Sequence, residues 1–138
     1  MADSTPTRPL PQLTEADTGE FWHRTKDREL SYQQCGECEG IVFYPRRHCT
    51  HCGSADLAWK SASGRGSIYT FSVIRQSYHP FFRGQVPYAI AWIDLEEGVR
   101  ILSNVVGIED PAALSVGQAV EVTWEEHEAL SIPLFKPA

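Results

Sequence analysis

The 138-residue chain holds no run of the roughly 18 to 20 continuous apolar residues that a membrane-spanning helix needs. Its opening, MADSTPTRPLPQLTE, also lacks a basic start followed by an apolar stretch. That predicts a chain without a secretory leader, placed in the cytoplasm. Basic residues are in deficit: 12 Lys and Arg stand against 18 Asp and Glu, giving a formal charge of −6. A nucleic-acid binder normally carries a basic surface to displace counterions from phosphate, so the balance argues against that class. There is no internal repeat, and no low-complexity tract beyond the proline-containing first dozen residues, which predict a loosely attached arm. Catalytic signatures are absent as well. Gly64 and Gly66 in SGRGSIY lack the third glycine and the βαβ setting of a dinucleotide fingerprint, and fit a bend or bulge entering a strand. No nucleophile elbow surrounds Ser72, Ser77, Ser103 or Ser131. His79 falls in a loop and His127 in an acidic turn predicted to be exposed. No self-sufficient catalytic set follows from the sequence, which predicts a protein that is not an enzyme on its own.

Cysteine is scarce too, but its placement is informative. All four lie in CGECEGIVFYPRRHCTHCG, as Cys35-x-x-Cys38, ten intervening residues, then Cys49-x-x-Cys52. Reduced cytosolic thiols spaced this way are metal ligands rather than disulfides. In each knuckle the chain turns back so that both sulfurs face one ion, and Gly40 and Gly53 are placed where positive φ is expected. Four thiolates fill a tetrahedron, the geometry of structural zinc, although S₄ coordination by itself also suits iron. Either His48 or His51 could stand in for Cys49 as a ligand. A closed site has no open position for substrate, and a segment of this size cannot bury its own core. The metal is therefore expected to be one structural Zn²⁺ per chain, holding a ribbon together.

Around the knuckles the pattern changes. Thr14 is placed to cap a helix with Asp17 in its first turn and Phe21 and Trp22 as its apolar spot, fading near Lys26 to Glu29. Ile41 to Tyr44 predicts a strand, stopped by Pro45. Beyond Gly53 the strands predicted are Leu57–Ala62, Ser67–Arg75, Pro87–Leu95, Arg100–Val106, Gln118–Glu125 and Ile132–Phe135. Glu96-Glu97-Gly98 reads as a hairpin turn, and Asp110 to Leu114 as one helical turn. About five strands in this length fit a small closed barrel of the OB type. The organisation expected is an arm and helix over residues 1–29, a rubredoxin-like zinc ribbon over 30–56 and a mainly β OB-fold domain over 57–138.

Tyr78-His79-Pro80-Phe81-Phe82-Arg83-Gly84 does not fit a regular strand. Two adjacent phenylalanines between proline and glycine predict a long loop whose aromatics anchor a partner or fold back over the barrel.

In order along the chain, these elements resemble the zinc-ribbon plus OB-fold proteins associated with acyl-CoA metabolism. The matching residues are Phe21-Trp22, Leu30 to Gln34 before Cys35-x-x-Cys38, Tyr44-Pro45-Arg46 before Cys49-x-x-Cys52-Gly53, and Ser63 to Gly66 with Ile68 to Phe71. They continue with Pro87-Tyr88, Leu95 to Asn104, Val116-Gly117 and Pro133 to Pro137. The glycine that the family places shortly after Phe21-Trp22 is replaced here by His23-Arg24-Thr25-Lys26. The resemblance implies an accessory subunit of a thiolase-fold enzyme (a thiolase, a lipid-transfer-type aldolase or an acyltransferase) acting on acyl-CoA thioesters. The partner supplies the nucleophile, and the cysteines hold structural zinc. Tyr78, His79, Pro80, Phe81 and Phe82 are then the candidate partner contacts. Arg46, Arg47, Arg65, Arg75 and Arg83 are candidates to meet CoA phosphates, because guanidinium forks match phosphate oxygens. The alternative is a single-stranded nucleic-acid binder stacking bases on Tyr69, Phe71 and Trp92, which the acidic balance disfavours.

Overall fold

A computed structural model describes residues 5–138. The first helix, α1 (Gly19–Thr25), begins five residues later than the sequence predicts. Residues 13–18 form turns instead, and Gly19 meets the Leu13 carbonyl so closely that a β-carbon there would lie 2.3 Å from its oxygen. Thr14 therefore caps nothing, and Thr18 before the helix gives no side-chain cap either. What fixes α1 is its inner stripe. Phe21 and Thr25, one turn apart, are buried, and Phe21 meets Trp22 and Phe43 edge-on. Thr25 donates its hydroxyl to the Trp22 carbonyl and accepts the Ser131 N–H, tying the helix to the last strand.

Three strands make the ribbon sheet, in the order β2 (Ile41–Val42), β1 (Ser31–Cys35), β3 (Leu57–Ser61). β3 pairs along the whole of β1, from Ser31 opposite Ser61 to Cys35 opposite Leu57. The strand predicted over Ile41 to Tyr44 ends at Val42, because the chain leaves the sheet there: Tyr44 reaches the barrel, where its hydroxyl accepts the Leu102 N–H at 3.1 Å.

The other five strands close a barrel: β4 (Arg65–Ile74), β5 (Tyr88–Leu95), β6 (Arg100–Val105), β7 (Ala119–Glu126) and β8 (Ser131–Pro137), in the order β4-β5-β6-β8-β7. Period-two alternation decides which side chains go inside. Along β5, Ala89, Ala91, Ile93 and Leu95 are buried while their neighbours are not. Ile68, Ile101, Val105, Val120 and Phe135 fill the same core. β4 carries an irregularity between Ile68 and Thr70, and Gly66 lets it approach β5, since a β-carbon there would sit 2.3 Å from the Asp94 carbonyl oxygen. The expected hairpin turn joins β5 to β6 with Gly98 at φ 92°, and the expected helical turn appears over Pro111–Ala113.

Closure is uneven. β6 meets β8 in parallel through one residue pair, Val105 and Phe135, so the seam beyond it is open. α1 and Tyr44-Pro45 lie across that opening. Among the described residues no helix is long and apolar enough to cross a membrane.

Candidate metal centre and the surfaces around it

The sulfurs of Cys35, Cys38, Cys49 and Cys52 all lie within 4.8 Å of one another. The tightest pairs, Cys35 with Cys52 and Cys38 with Cys49, are 3.6 and 3.5 Å apart. Tetrahedral ligands at a zinc–sulfur distance of about 2.3 Å stand about 3.8 Å apart, so the four sulfurs fit one ion. Backbone N–H groups point at them as well: Glu37 and Cys38 at Cys35 Sγ (3.4 and 3.5 Å), Gly40 at Cys38 Sγ (3.4 Å) and His51 at Cys49 Sγ (3.3 Å). Such donors stabilise thiolate over thiol.

Four thiols this close cannot ionise independently. Burial works against the Cys49 thiolate, yet the N–H groups of Cys52 and His51 bring its pKa down to about 6. At Cys52 the Ser54 N–H favours the thiolate, but desolvation and the three neighbouring sulfurs push the pKa up to about 12. This is a donor set that calls for a cation at its centre.

Neither histidine joins the cluster. His51 turns its Nε2 to the Ile41 carbonyl at 3.1 Å, and His48 is exposed. The glycine expectation is half met. Gly53 has φ 80°, but in the first knuckle the positive φ falls on Glu39 (61°). Gly40 serves a close approach instead: a β-carbon there would lie 2.5 Å from the His51 ring.

The candidate arginines are scattered. Arg47 pairs with Asp17 at 3.3 Å, Arg65 with Glu96 at 3.1 Å, and Arg83 donates to the Tyr78 carbonyl. Arg46 and Arg75 are exposed and have no side-chain partner among the described residues. No single phosphate cradle gathers all five.

The loop from Ser77 to Val86 contains a short helix, α2 (Pro80–Arg83), that the sequence pattern did not predict. His79 caps it, its Nδ1 accepting the Phe81 N–H at 3.1 Å, and Pro80 opens it. Tyr78 is 83% exposed. Phe81 and Phe82 are half-buried, packed edge-on against each other, and Phe82 also meets Tyr88. The proline-containing arm, expected to be loose, is pinned across them by Arg8. Its guanidinium carbon lies 4.9 and 5.4 Å from the two ring centroids and its nitrogens reach Glu125. His127, expected in an exposed turn, is half-buried and bonded to the same carboxylate at 2.7 Å.

The three aromatics considered for base stacking do not form a row. Phe71 packs against the barrel core, Trp92 is half-buried, and the exposed ring of Tyr69 carries the Arg100 guanidinium on one face, its carbon 3.6 Å from the centroid and the group itself paired to Asp94. Sequence reasoning missed an apolar pocket of about 190 Å³ at the open seam, between Phe21 and Trp22 of α1, Tyr44-Pro45, Leu102 and Pro133. Its walls come from four separate segments, so no local pattern announces it.

A DUF35 domain-containing scaffold protein of Methanocaldococcus jannaschii is 35% identical over 106 residues, covering 75% of this chain and 73% of that protein. The chain belongs to the DUF35 family. Two family descriptions divide it: "ChsH2, rubredoxin-like zinc ribbon domain" matches residues 22–58, and "ChsH2, C-terminal OB-fold domain" matches 59–125. The zinc-ribbon description covers all four cysteines of this DUF35 chain, the same four whose sulfurs cluster closely enough to hold one ion. A "Probable enoyl-CoA hydratase alpha subunit" of Thermomonospora curvata is 35% identical over 132 residues, 95% of this chain. The DUF35 chain spans 40% of that relative's length. Among solved structures, a chain of the "Ltp2-ChsH2(DUF35) aldolase" superposes with a TM-score of 0.82 at 34% identity, covering 94% of this chain and 98% of that one.

Proposed function

We propose that this chain is a non-catalytic accessory subunit that binds a thiolase-fold enzyme acting on acyl-CoA thioesters and supports that enzyme's active site or substrate channel. The observation that carries this reading is the agreement, over nearly the whole of both chains, with the DUF35 component of an aldolase whose description also names Ltp2. The Thermomonospora relative, described as a subunit of a CoA-thioester hydratase, supports the same class of substrate. The site chemistry is consistent with it. A metal held by four cysteine sulfurs has no free position for substrate, so the chain's contribution is shape rather than a reacting group. In this reading the ion is one Zn²⁺ per chain, supplying folding energy to a ribbon too small to hold itself.

Docking is assigned to the segment from Tyr78 to Phe82, with Tyr78 as the exposed anchor, since it offers a large aromatic surface that the chain itself leaves uncovered. Where CoA phosphates approach this subunit, Arg46 and Arg75 are the guanidinium groups free to meet them, while Arg47, Arg65 and Arg83 already hold partners.

The test is co-expression with a thiolase-fold protein, followed by co-purification, size-exclusion chromatography and assay on acyl-CoA. A stable hetero-oligomer whose turnover needs this chain is expected. Separate elution of the two proteins with unchanged partner activity would remove the proposal. Unchanged KM across the five single arginine-to-alanine variants of the complex would reject the CoA contact alone. Salt-sensitive binding of a single-stranded oligonucleotide would instead favour the nucleic-acid reading.

A further inference from the structure

The long strand β4 is covered on both sides only at its start. β7 pairs with Arg65, Gly66 and Ser67 and goes no further. Ile68 still has neighbours on that side: its N–H goes to the Gln118 carbonyl, and its carbonyl takes the Gly117 N–H. Past the irregularity that follows Ile68, the strand runs on through Thr70-Phe71-Ser72-Val73-Ile74 with β5 as its one neighbouring strand.

The groups left facing outward follow from β5. Successive residues of an antiparallel strand bond to alternate sides. Leu95 sends its N–H to Val99, on the β6 side, and Glu96 sends its N–H to Arg65 of β4, so the even-numbered residues serve β4. Thr70, Ser72 and Ile74 lie opposite Trp92, Ile90 and Tyr88 and bond to them. Phe71 and Val73 therefore turn their N–H and carbonyl groups away from β5. Among the described residues none of these four groups has a partner. Edges of this kind are normally blunted by charge or proline. The five residues contain neither, and three of them are β-branched. Thr70 and Ser72 are exposed.

We propose that this edge is an interface with a second copy of the chain, β4 pairing antiparallel with its counterpart about a two-fold axis at Ser72. The edge is complementary to itself in that register. Phe71 stands opposite Val73 of the other copy, and each such pair exchanges two N–H···O bonds, so every outward group of both strands is satisfied. Thr70 stands opposite the other copy's Ile74, and no like charges meet between them. At each end Arg75 comes level with the other copy's Tyr69. Arg75 is exposed and has no side-chain partner among the described residues, while the Tyr69 ring is 51% exposed and carries Arg100 on one face. A guanidinium suits the other face. A strand of unrelated sequence could make the same backbone bonds, but this chain supplies the matching ends twice. A phosphate and the second copy would compete for Arg75. The dimer does not depend on the accessory-subunit reading.

The experiment measures the mass of the full, metal-loaded chain by light scattering from micromolar to millimolar concentration, beside Ser72→Lys and Ser72→Glu. Wild type is expected to reach twice the chain mass. Each variant alone sets like charges face to face and should dissociate at least about tenfold more readily. Ser72 is exposed, so the melting temperature of the dilute variants should match that of dilute wild type. Mixing the two variants should restore the dimer, which neither a misfolded variant nor an interface elsewhere would do. Amide hydrogen exchange at Phe71 and Val73 should be fast in dilute wild type and slow as the dimer forms, and it decides alone if a variant fails to fold. A wild type that stays monomeric, a dimer indifferent to both variants, or a mixture that stays monomeric overturns the proposal. Exchange at these two amides that slows only when a thiolase-fold protein is added would overturn it too, giving the edge to that partner.

Discussion

The side-chain amide of Gln33 grips both backbone groups of Arg46, thirteen residues away: its oxygen accepts the Arg46 N–H at 2.8 Å, and its nitrogen donates to the Arg46 carbonyl at 2.9 Å. Gln33 is 5% exposed and lies in the middle of β1, between strands β2 and β3. The loop it holds carries Tyr44 and Pro45 on one side and leads to Cys49 on the other. One amide thus sets the position of the second knuckle relative to the sheet that bears the first.

Replacing Gln33 with leucine leaves the two Arg46 groups unpaired in a partly buried setting, at about 1–3 kcal/mol. The melting temperature should fall by several degrees. Metal release to a chelator should be faster than in wild type, read with a colorimetric zinc indicator. Unchanged release would mean that the amide does not govern the second knuckle.

Cys49→Ser should reduce bound metal well below one ion per chain by elemental analysis and unfold the ribbon, lowering solubility rather than leaving a folded protein with altered turnover. Cys49 is 5% exposed, so its loss also opens the small core that it shares with Cys35 and Val42. A folded, fully metal-loaded variant would show that the ligand set has been misassigned. Serine at Cys35, Cys38 or Cys52 should behave in the same direction.

The Glu125 carboxyl is held below its ordinary value of 4.5: burial acts to raise it, but hydrogen bonds from Arg8 and His127 outweigh that. A depressed carboxyl stabilises the fold above its unfolded pKa, and this contribution is lost as pH falls through the folded value. The melting-temperature gap between wild type and Glu125→Gln should therefore be full at neutral pH and close below 4.5. A gap that persists at the acid end would mean that the ion pair with Arg8 contributes nothing to stability.

Tyr78→Ala and the double change Phe81→Ala with Phe82→Ala should separate docking from folding. Tyr78 is exposed, so its removal should leave the melting temperature in place and weaken the complex by about 2 kcal/mol, roughly thirtyfold. Phe81 and Phe82 are half-buried against each other, Tyr88 and Arg8, so their removal should lower the melting temperature of the isolated chain. Calorimetry on the chain alone and titration against the partner give the two readings.

Local patterns carried much of this architecture. Two C-x-x-C pairs define a ligand set because each knuckle needs only a few neighbouring residues to aim its sulfurs, and Val-, Ile- and aromatic-rich runs of period two located all five barrel strands to within a few residues. Helix α1 was visible in Phe21 and Trp22, but its start was not. The carbonyl of Leu13 against Gly19 is a contact between turns, and capping propensity at Thr14 has no bearing on it.

What the sequence determined by itself is chemistry that is local in the chain: the cysteine tetrad, the barrel strands, the hairpin turn at Gly98 and the acidic balance that works against phosphate. What only the tertiary structure decided is chemistry assembled across the chain. Arg8 meets Glu125 across 117 positions, Thr25 meets Ser131 across 106, and Tyr44 meets Leu102 across 58. Period and propensity describe neighbours within a turn or a strand. These pairs exist because closing the barrel brings β7, β8 and the edge of β6 under the arm, the helix and the ribbon, so their positions follow from packing and from no pattern that either partner carries alone.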